Sequence, residues 1–153
     1  MPYVPNAKII IPEKKPENLT ELLELLFPNH PERQRLAIFL LERIHKEVKR
    51  YGFRAENWLE LILEYLGNEE LIYYYRMLVE EKVSRTEIHR LIEKKAKELG
   101  IPFGTAKTNY NIVVKTLQNA RIIYRTNNYY KTTKEFSKLL CEIAEVWNKW
   151  LAR

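Results

Sequence analysis

Apolar residues recur at intervals of three and four positions through most of this chain, which places them on one face of successive α-helices. The spacing predicts helices over 18–27, 31–50, 58–66, 68–79, 84–99, 105–120 and 133–150. Four prolines within the first sixteen residues favour an extended segment there, because proline cannot donate a helical hydrogen bond. The pattern therefore predicts a mainly α-helical protein with an extended N-terminal arm.

Polar residues and glycines mark where the helices of the second half begin and end. Ser84 and Glu87 have the form of a capping box, in which the hydroxyl accepts a hydrogen bond from a free backbone N–H. Gly100 suits a left-handed helix end, and Pro102 prevents the helix from continuing. Thr105 is then expected to cap the next helix. The sequence thus predicts two helices joined by a short glycine turn.

After these two helices, the pattern changes from that of a helix to that of strands. The segments 122–126 and 129–133 are rich in β-branched and aromatic residues. Asn127 and Asn128 lie between them, and asparagine tolerates the two positive φ angles of a type I′ turn. The sequence therefore predicts one short β-hairpin, followed by a long final helix.

Charge is distributed unevenly along the chain. Residues 1–83 carry 12 Lys and Arg against 14 Glu, a net charge of −2, whereas residues 84–153 carry 14 against 6, a net charge of +8. The stretch 100–134 holds six basic residues and no acidic residue. A surface free of carboxylates is what a polyphosphate partner requires, because a carboxylate would repel it. The second half is therefore the part expected to meet a polyanion.

The predicted helix over 105–120 separates into two faces at about 100° per residue. Its apolar face holds Ala106, Tyr110, Val113, Val114 and Leu117. Its polar face, which contains no acid, holds Lys107, Thr108, Asn111, Lys115 and Gln118. Amide side chains bond adenine edges, lysine bonds guanine or phosphate, and a threonine methyl contacts thymine. The polar face is thus suited to reading DNA bases, and an ordinary solvated face is the alternative.

The order of helix, glycine turn, helix and hairpin over 71–134 resembles the winged helix-turn-helix family. The resemblance implies a second helix that enters the DNA major groove and a hairpin, the wing, that contacts the backbone or the minor groove. The chain would then consist of an arm (1–17), an N-terminal helical region (18–70), the winged helix-turn-helix (71–134) and a C-terminal helix (135–153). The expected fold is mainly α: a helical bundle with one short hairpin and a long final helix.

The residues expected to contact double-stranded DNA lie on the second helix and the hairpin. The start of the helix at Thr105 offers free backbone amides to a phosphate. The hairpin tip is expected to make mostly sequence-independent contacts, although a hairpin that only covers the helix ends is the alternative. The full set is Thr105, Lys107, Thr108, Asn111, Lys115, Gln118, Arg121, Arg125, Asn127, Asn128 and Lys131. For most bases of the preceding helix, ion pairing with acids of that same helix is expected, and added contacts to the DNA backbone are the alternative. These bases are Arg85, Arg90, Lys94, Lys95 and Lys97.

The final helix carries apolar residues at alternating spacings of four and three, which is the pattern of a coiled-coil seam. These residues are Phe136, Leu140, Ile143, Trp147 and Trp150. Packing against the same chain and pairing with a second copy both fit this pattern, and many winged-helix regulators resemble it in pairing this way. The tyrosine clusters at 73–75, 124 and 129–130 fit packing in the core, with base stacking as the alternative.

Signals for enzymatic chemistry are weak. Aspartate is absent, the three histidines are isolated, and Cys141 is alone, so neither a metal site nor a disulfide is expected. No cofactor is implied. Tyr124 beside Arg121 and Arg125 is similar to the nucleophile of DNA-joining recombinases, but the wider Arg and His pattern of those enzymes is missing. The sequence therefore predicts a protein that is not an enzyme.

Neither a signal peptide nor a membrane-spanning segment is evident, so a cytoplasmic location is expected. Abundant Glu, Lys, Ile and Tyr resemble the composition of hyperthermophile proteins. The sequence as a whole predicts a dimeric DNA-binding protein that regulates transcription or another event on DNA. A helical protein–protein adaptor with a basic face and a binder of RNA or single strands remain the alternatives.

Overall fold

The computed structural model describes residues 18–47 and 52–152. Over these residues the protein is mainly α-helical with a small antiparallel sheet, which confirms the predicted fold class at that level. The helices are α1 (Leu19–Leu26), α2 (Pro31–Lys46), α3 (Trp58–Leu66), α4 (Glu69–Glu80), α5 (Arg85–Leu99), α6 (Phe103–Asn119) and α7 (Glu135–Leu151). The strands are β1 (Phe53–Arg54), β2 (Ile123–Thr126) and β3 (Tyr129–Thr132), and a single 3-10 turn (Ala55–Asn57) links β1 to α3. The predicted arm and the predicted end of the second helix near residue 50 lie outside the described residues.

Most helix boundaries are fixed by the residues that the sequence indicates. Asn18, Asn68 and Ser84 each accept a hydrogen bond from the backbone N–H three residues on, at 2.9, 2.9 and 3.3 Å. These bonds satisfy donors that a helix leaves free in its first turn. Gly67 and Gly100 follow α3 and α5 with φ of 67° and 69°, a left-handed conformation that glycine adopts without strain. The predicted caps of α4 and α5 are therefore confirmed.

The prediction that Thr105 caps the helix after the glycine turn is wrong, because α6 begins two residues earlier at Phe103. Pro102 precedes the first helical residue, where its missing N–H costs nothing. The Phe103 side chain is only 2% exposed, so its burial favours a helix that starts at this residue. Thr105 lies within the first turn of α6 and faces solvent.

The sheet has three strands in the order β1-β3-β2, all antiparallel. The predicted hairpin is confirmed, since β2 pairs with β3. Asn127 and Asn128 adopt the expected positive φ angles in its turn, 47° and 67°. Strand β1 was not predicted, because two residues are too few to show a strand period. Gly52 precedes it with φ of 96°, and a Cβ there would lie 2.5 Å from the Tyr130 carbonyl oxygen. Only glycine allows the chain to pass so close to β3.

Buried side chains from α1 to β3 form one hydrophobic core. Helix α6 packs against α2, α3 and α5, and the hairpin packs beside it through β2. Its buried residues are Phe103, Ala106, Tyr110, Val113, Val114 and Leu117. The predicted apolar face of α6 is therefore confirmed. Because α2 and β3 also pack together, the regions 18–70 and 71–134 share this core.

Helix α7 extends away from the core. Its start is fixed by the Thr133 hydroxyl, which accepts a hydrogen bond from the Glu135 N–H at 3.0 Å. Phe136 and Leu139 are half-buried, whereas every residue over 140–152 is exposed. The exposed apolar side chains are Leu140, Ile143, Val146, Trp147, Trp150 and Leu151. Packing of α7 along its length against its own chain is therefore not observed within the described residues.

Among the described residues, none of the helices combines the length and the apolar character that crossing a bilayer requires. The exposed apolar face of α7 alternates with charged residues, among them Lys138, Glu142 and Lys149. This helix is amphipathic rather than uniformly apolar.

Candidate nucleic-acid interface

The polar face of α6 lies opposite its buried face. Thr105, Asn111 and Lys115 are exposed, whereas Gln118 is half-buried near the base of the hairpin. Thr108 is exposed, but its hydroxyl donates a hydrogen bond to the Gly104 carbonyl at 3.1 Å. Its methyl group is therefore the part left for contact with a partner.

Lys107 is the one member of the predicted face that α5 engages. Its Nζ lies 3.0 Å from the His89 Nε2 and 3.7 Å from a carboxylate oxygen of Glu93. The same ammonium lies 5.7 Å from the centre of the Trp58 ring, within cation–π range. The polar residues of α6 include no acid, as the sequence shows, but Glu93 of α5 brings a carboxylate to this edge. Lys107 therefore serves packing and ion pairing within the protein.

The hairpin tip presents a guanidinium held by its own turn. Arg125 donates through Nη2 to the Asn128 Oδ1 at 3.0 Å, and its Cζ lies 5.9 Å from the centre of the Tyr130 ring. The Asn128 carbonyl accepts a hydrogen bond from the Ala55 N–H at 2.7 Å, which fixes the turn to the segment after β1. The tip is thus held in place on the body while Arg125, Asn127 and Asn128 remain exposed.

Four cations of the predicted surface have no carboxylate partner within the described residues: Lys115, Arg121, Arg125 and Lys131. Arg121 occupies the turn between α6 and β2 with φ of 59°, and its side chain is exposed. Lys131 is half-buried on β3. These uncompensated charges give α6 and the hairpin a positive surface.

The cations of α5 contrast with that surface, because acids neutralise several of them. Arg90 bonds Glu87 one turn earlier on the same helix. Arg85 and Lys95 pair with acids of other elements, at 2.7 Å from Glu56 and 3.7 Å from Glu70. The predicted ion pairing within the helix is confirmed for Arg90, whereas Arg85 and Lys95 pair with acids outside α5 instead. The positive surface is thereby concentrated on α6 and the hairpin.

A cleft of about 440 Å³ separates the polar face of α6 from the hairpin, and we call it the α6–hairpin cleft. Asn111 lines it from α6, Arg125 and Asn128 line it from the hairpin, and Trp58 and Glu56 line it from the segment after β1. The two predicted contact surfaces therefore border one concavity. Sequence patterns did not indicate Trp58 or Glu56 as site residues, because both are distant in the chain from α6 and the hairpin.

Tyr110 also lines this cleft, and its hydroxyl is the buried polar side-chain atom that lacks a hydrogen-bond partner among the described residues. The residue is 5% exposed. Burial holds the pKa of its phenol well above the ordinary value, with a smaller contribution from Tyr130, while the charge of Arg125 acts in the opposite direction. The phenol therefore keeps its proton and remains a hydrogen-bond donor. Periodicity identified Tyr110 only as a core residue.

The tyrosines divide between packing and exposure. Tyr130 is buried and Tyr74 and Tyr75 are half-buried, whereas Tyr73 and Tyr124 are exposed.

Within the described residues, no group of three or more His, Cys, Asp or Glu side chains is placed to hold a metal ion. Cys141 is exposed on α7.

Comparison of the chain with protein-family models, with curated proteins and with solved structures found no match to any of the three.

Proposed function

We propose that this protein binds double-stranded DNA through a winged helix-turn-helix formed by α5, α6 and the β2–β3 hairpin. It would act in the regulation of transcription or of another event on DNA. The observation that carries the proposal is the shared border of the two basic elements: Asn111 and Arg125 face one cleft. An exposed polar helix face beside a hairpin fits a major groove about 12 Å wide and its adjoining backbone.

The distribution of charge supports a polyanion as the partner. Lys115, Arg121, Arg125 and Lys131 lack carboxylate partners among the described residues, so binding phosphates would not first require breaking an ion pair. Cations that replace condensed counterions provide most of the sequence-independent affinity for DNA. Lys115 is the best placed of these, because it lies on α6 itself and is exposed.

A duplex is favoured over a single strand because stacking platforms are scarce on this surface. Single-strand binders stack successive bases on exposed aromatic rings. Of the three hairpin tyrosines, Tyr130 is buried and Tyr129 is half-buried, which leaves Tyr124 exposed. The amide and ammonium groups of α6 instead suit the edges of paired bases.

The proposal includes the pairing of two copies through α7. Its exposed apolar residues follow the alternating spacing of a coiled-coil seam, and its charged residues lie off that seam. Together they expose on the order of 600 Å² of apolar surface, at the upper end for a monomer. Two such faces would bury roughly 1,200 Å², the lower bound of a stable interface. A dimer would present two recognition helices to two half-sites.

The proposal is tested by fluorescence anisotropy with a mixed-sequence duplex, the matching single strand and a structured RNA across a salt series. We expect the duplex to bind most tightly, with affinity that falls as salt rises. Lys115→Glu should weaken duplex binding by about tenfold or more, because it places a carboxylate against phosphates. Arg76→Glu makes the same charge change on the exposed surface of α4 and is the matched control.

Equal losses in Lys115→Glu and Arg76→Glu would show that only net charge matters and would remove the assignment to α6. Tighter binding of the RNA or of the single strand would transfer the proposal to that class. Displacement of the duplex by poly-glutamate at low concentration would favour the adaptor, whose partner is an acidic protein.

A further inference from the structure

An apolar groove of about 490 Å³ lies where the start of α7 meets the rest of the protein, and we call it the α2–α7 groove. Its apolar walls are Leu19 of α1, Leu41 of α2, Ile122 before β2 and Phe136 of α7. Leu19 is 44% exposed, whereas Leu23, one turn further along α1, is fully buried. The groove therefore leaves apolar surface open, and covering that surface is favourable.

The groove continues the apolar seam of α7. Phe136 is the first residue of that seam and lines the groove, while Trp147 and Trp150 are its last two. Those two rings stack with their centres 5.2 Å apart and remain exposed. Phe136 and Trp150 are separated by two heptads, about 21 Å of helix. Because α7 is one uninterrupted helix, a chain cannot place these tryptophans in its own groove.

An antiparallel pair of α7 helices joins the two ends of the seam. The residues that face each other across such a pair come from alternate positions of the heptad, so Leu140 lies opposite Ile143 of the second copy. One heptad further along, Trp147 then lies opposite the second copy's Phe136. The stacked tryptophans of one chain thereby meet the groove wall of the other.

Trp150 lies one turn beyond Trp147, opposite Thr133 of the second copy, which also lines the groove. Its indole N–H needs an acceptor when the ring is buried. Glu42 of α2 lines the groove, and its carboxylate has no ion-pair partner among the described residues. A parallel pair would instead set each residue beside its own counterpart and leave both grooves open.

Charge also favours the antiparallel arrangement. Arg121 and Lys134 lie near the start of α7, and a parallel pair would bring these cations of the two copies together. In the antiparallel register the two helix starts are about 20 Å apart, beyond the Debye length of ~8 Å at physiological ionic strength. The C-terminal end of one helix, which carries partial negative charge, then approaches Lys46 at the rim of the other copy's groove.

We propose that two copies of this chain pair through antiparallel α7 helices, and that the α2–α7 groove of each copy receives Trp147 and Trp150 of the other. The pairing rests on the dimer of the proposed function, to which it adds an orientation and a receiving site. The α7 faces alone reach only the lower bound of a stable interface, and the two filled grooves extend the buried apolar area.

The experiment is a double-mutant cycle on the full chain, followed by sedimentation equilibrium without DNA. Leu19→Glu charges the groove wall without changing α7, and Trp150→Ala removes one indole ring. Both side chains are exposed in the single chain, so neither change opens a cavity in the core. Val79→Glu makes the same charge change at an apolar residue of α4 that is 48% exposed, and it is the matched control.

We expect Leu19→Glu and Trp150→Ala each to weaken pairing by about tenfold, while Val79→Glu pairs like the wild type. In the Trp150→Ala chain, Leu19→Glu should weaken pairing further by less than about threefold, because the shared contact is already lost. Additive losses, or wild-type pairing in Leu19→Glu, would overturn the groove as the receiving site. Wild-type pairing with a lower stability of the separate Leu19→Glu chains would assign the groove to another part of the same chain.

Orientation is measured from the distance between spin labels at residue 149, with Lys149→Cys in a chain that also carries Cys141→Ser. In the antiparallel register the two labels lie about 22 Å apart along the helix axis, whereas a parallel pair leaves them level and would overturn the proposal. A wild-type chain that stays monomeric would remove this pairing and the dimer, but not the DNA surface of α6. Pairing as expected without any binding of duplex would remove the proposed DNA function and keep the pairing.

Discussion

Helices α6 and α7 have the same length, 17 residues, and both carry apolar residues at helical spacing, yet they occupy opposite environments. Helix α6 buries six side chains in the core, whereas α7 buries none. The difference shows that periodicity defines an apolar face but does not define what covers it. In α6 the cover comes from α2, α3 and α5 of the same chain.

The two helices also differ in what their polar faces present. The polar residues of α6 include no acid, whereas those of α7 include both signs. The charged residues of α7 include Lys138, Glu142, Glu145 and Lys149. A solvated face in this chain thus carries both signs, as α7 does. The exclusion of acids from α6 is therefore a property of that helix rather than of exposed helices here, and it supports a polyanion as the partner of α6.

The largest expected effect is on stability, and a matched pair of leucines measures it. Leu117 of α6 is 0% exposed and Leu140 of α7 is 51% exposed. Leu117→Ala should lower the free energy of unfolding by about 2–5 kcal/mol, because it leaves a cavity in the core. Leu140→Ala should change it by less than about 0.5 kcal/mol at protein concentrations where copies are separate. Urea denaturation measures both, and equal losses would contradict the exposure of α7.

The next effect concerns self-association through α7. Ile143→Glu places a charge on the apolar seam and should weaken pairing by roughly a hundredfold, because burying an unpaired carboxylate is costly. Asn148→Glu adds the same charge to an exposed residue off the seam and should leave pairing unchanged. Sedimentation equilibrium over a concentration series separates them. A wild-type chain that stays monomeric at high concentration would end the dimer proposal.

A smaller effect is expected at the base-reading face of α6. Asn111→Ala should cost about 1–3 kcal/mol on a duplex selected from a random library, because one bidentate contact to a base edge is lost. The loss on unselected duplex should be distinctly smaller. Competition anisotropy on both duplexes provides the comparison, and identical losses would mean that Asn111 does not read bases.

The smallest effect is a change in slope at the hairpin. Lys131→Ala should reduce the dependence of log affinity on log salt by roughly one unit, since one phosphate contact is removed. Lys149→Ala on α7 is the control and should leave the slope as it is. A wild-type slope in Lys131→Ala would place Lys131 outside the contact surface.

Local signals in the sequence were sufficient for most of the fold. Asparagine and serine caps, the glycines after α3 and α5, and the Asn127-Asn128 turn depend on neighbours within four residues, so sequence alone identifies them. The start of α6 was misplaced because burial of Phe103, a tertiary effect, outweighed the capping preference of Thr105. Strand β1 was missed because its pairing partner lies more than seventy residues away.

The candidate site was predictable in composition but not in arrangement. From the sequence, Asn111, Lys115 and Arg125 are polar residues in a stretch without acids. All three are exposed in the structure. It could not show that His89 and Glu93 engage Lys107, because that contact joins two helices across their packing interface. The cleft was equally hidden, since its lining comes from three separate parts of the chain.

Chemical-shift mapping of the isotope-labelled chain with an unlabelled duplex tests the DNA-binding surface most directly. We expect the largest perturbations at Asn111 and Lys115 of α6 and at Arg125 and Asn128 of the hairpin, with few beyond the first turn of α7. Perturbations concentrated on α4 or α7, with α6 and the hairpin unchanged, would contradict the account.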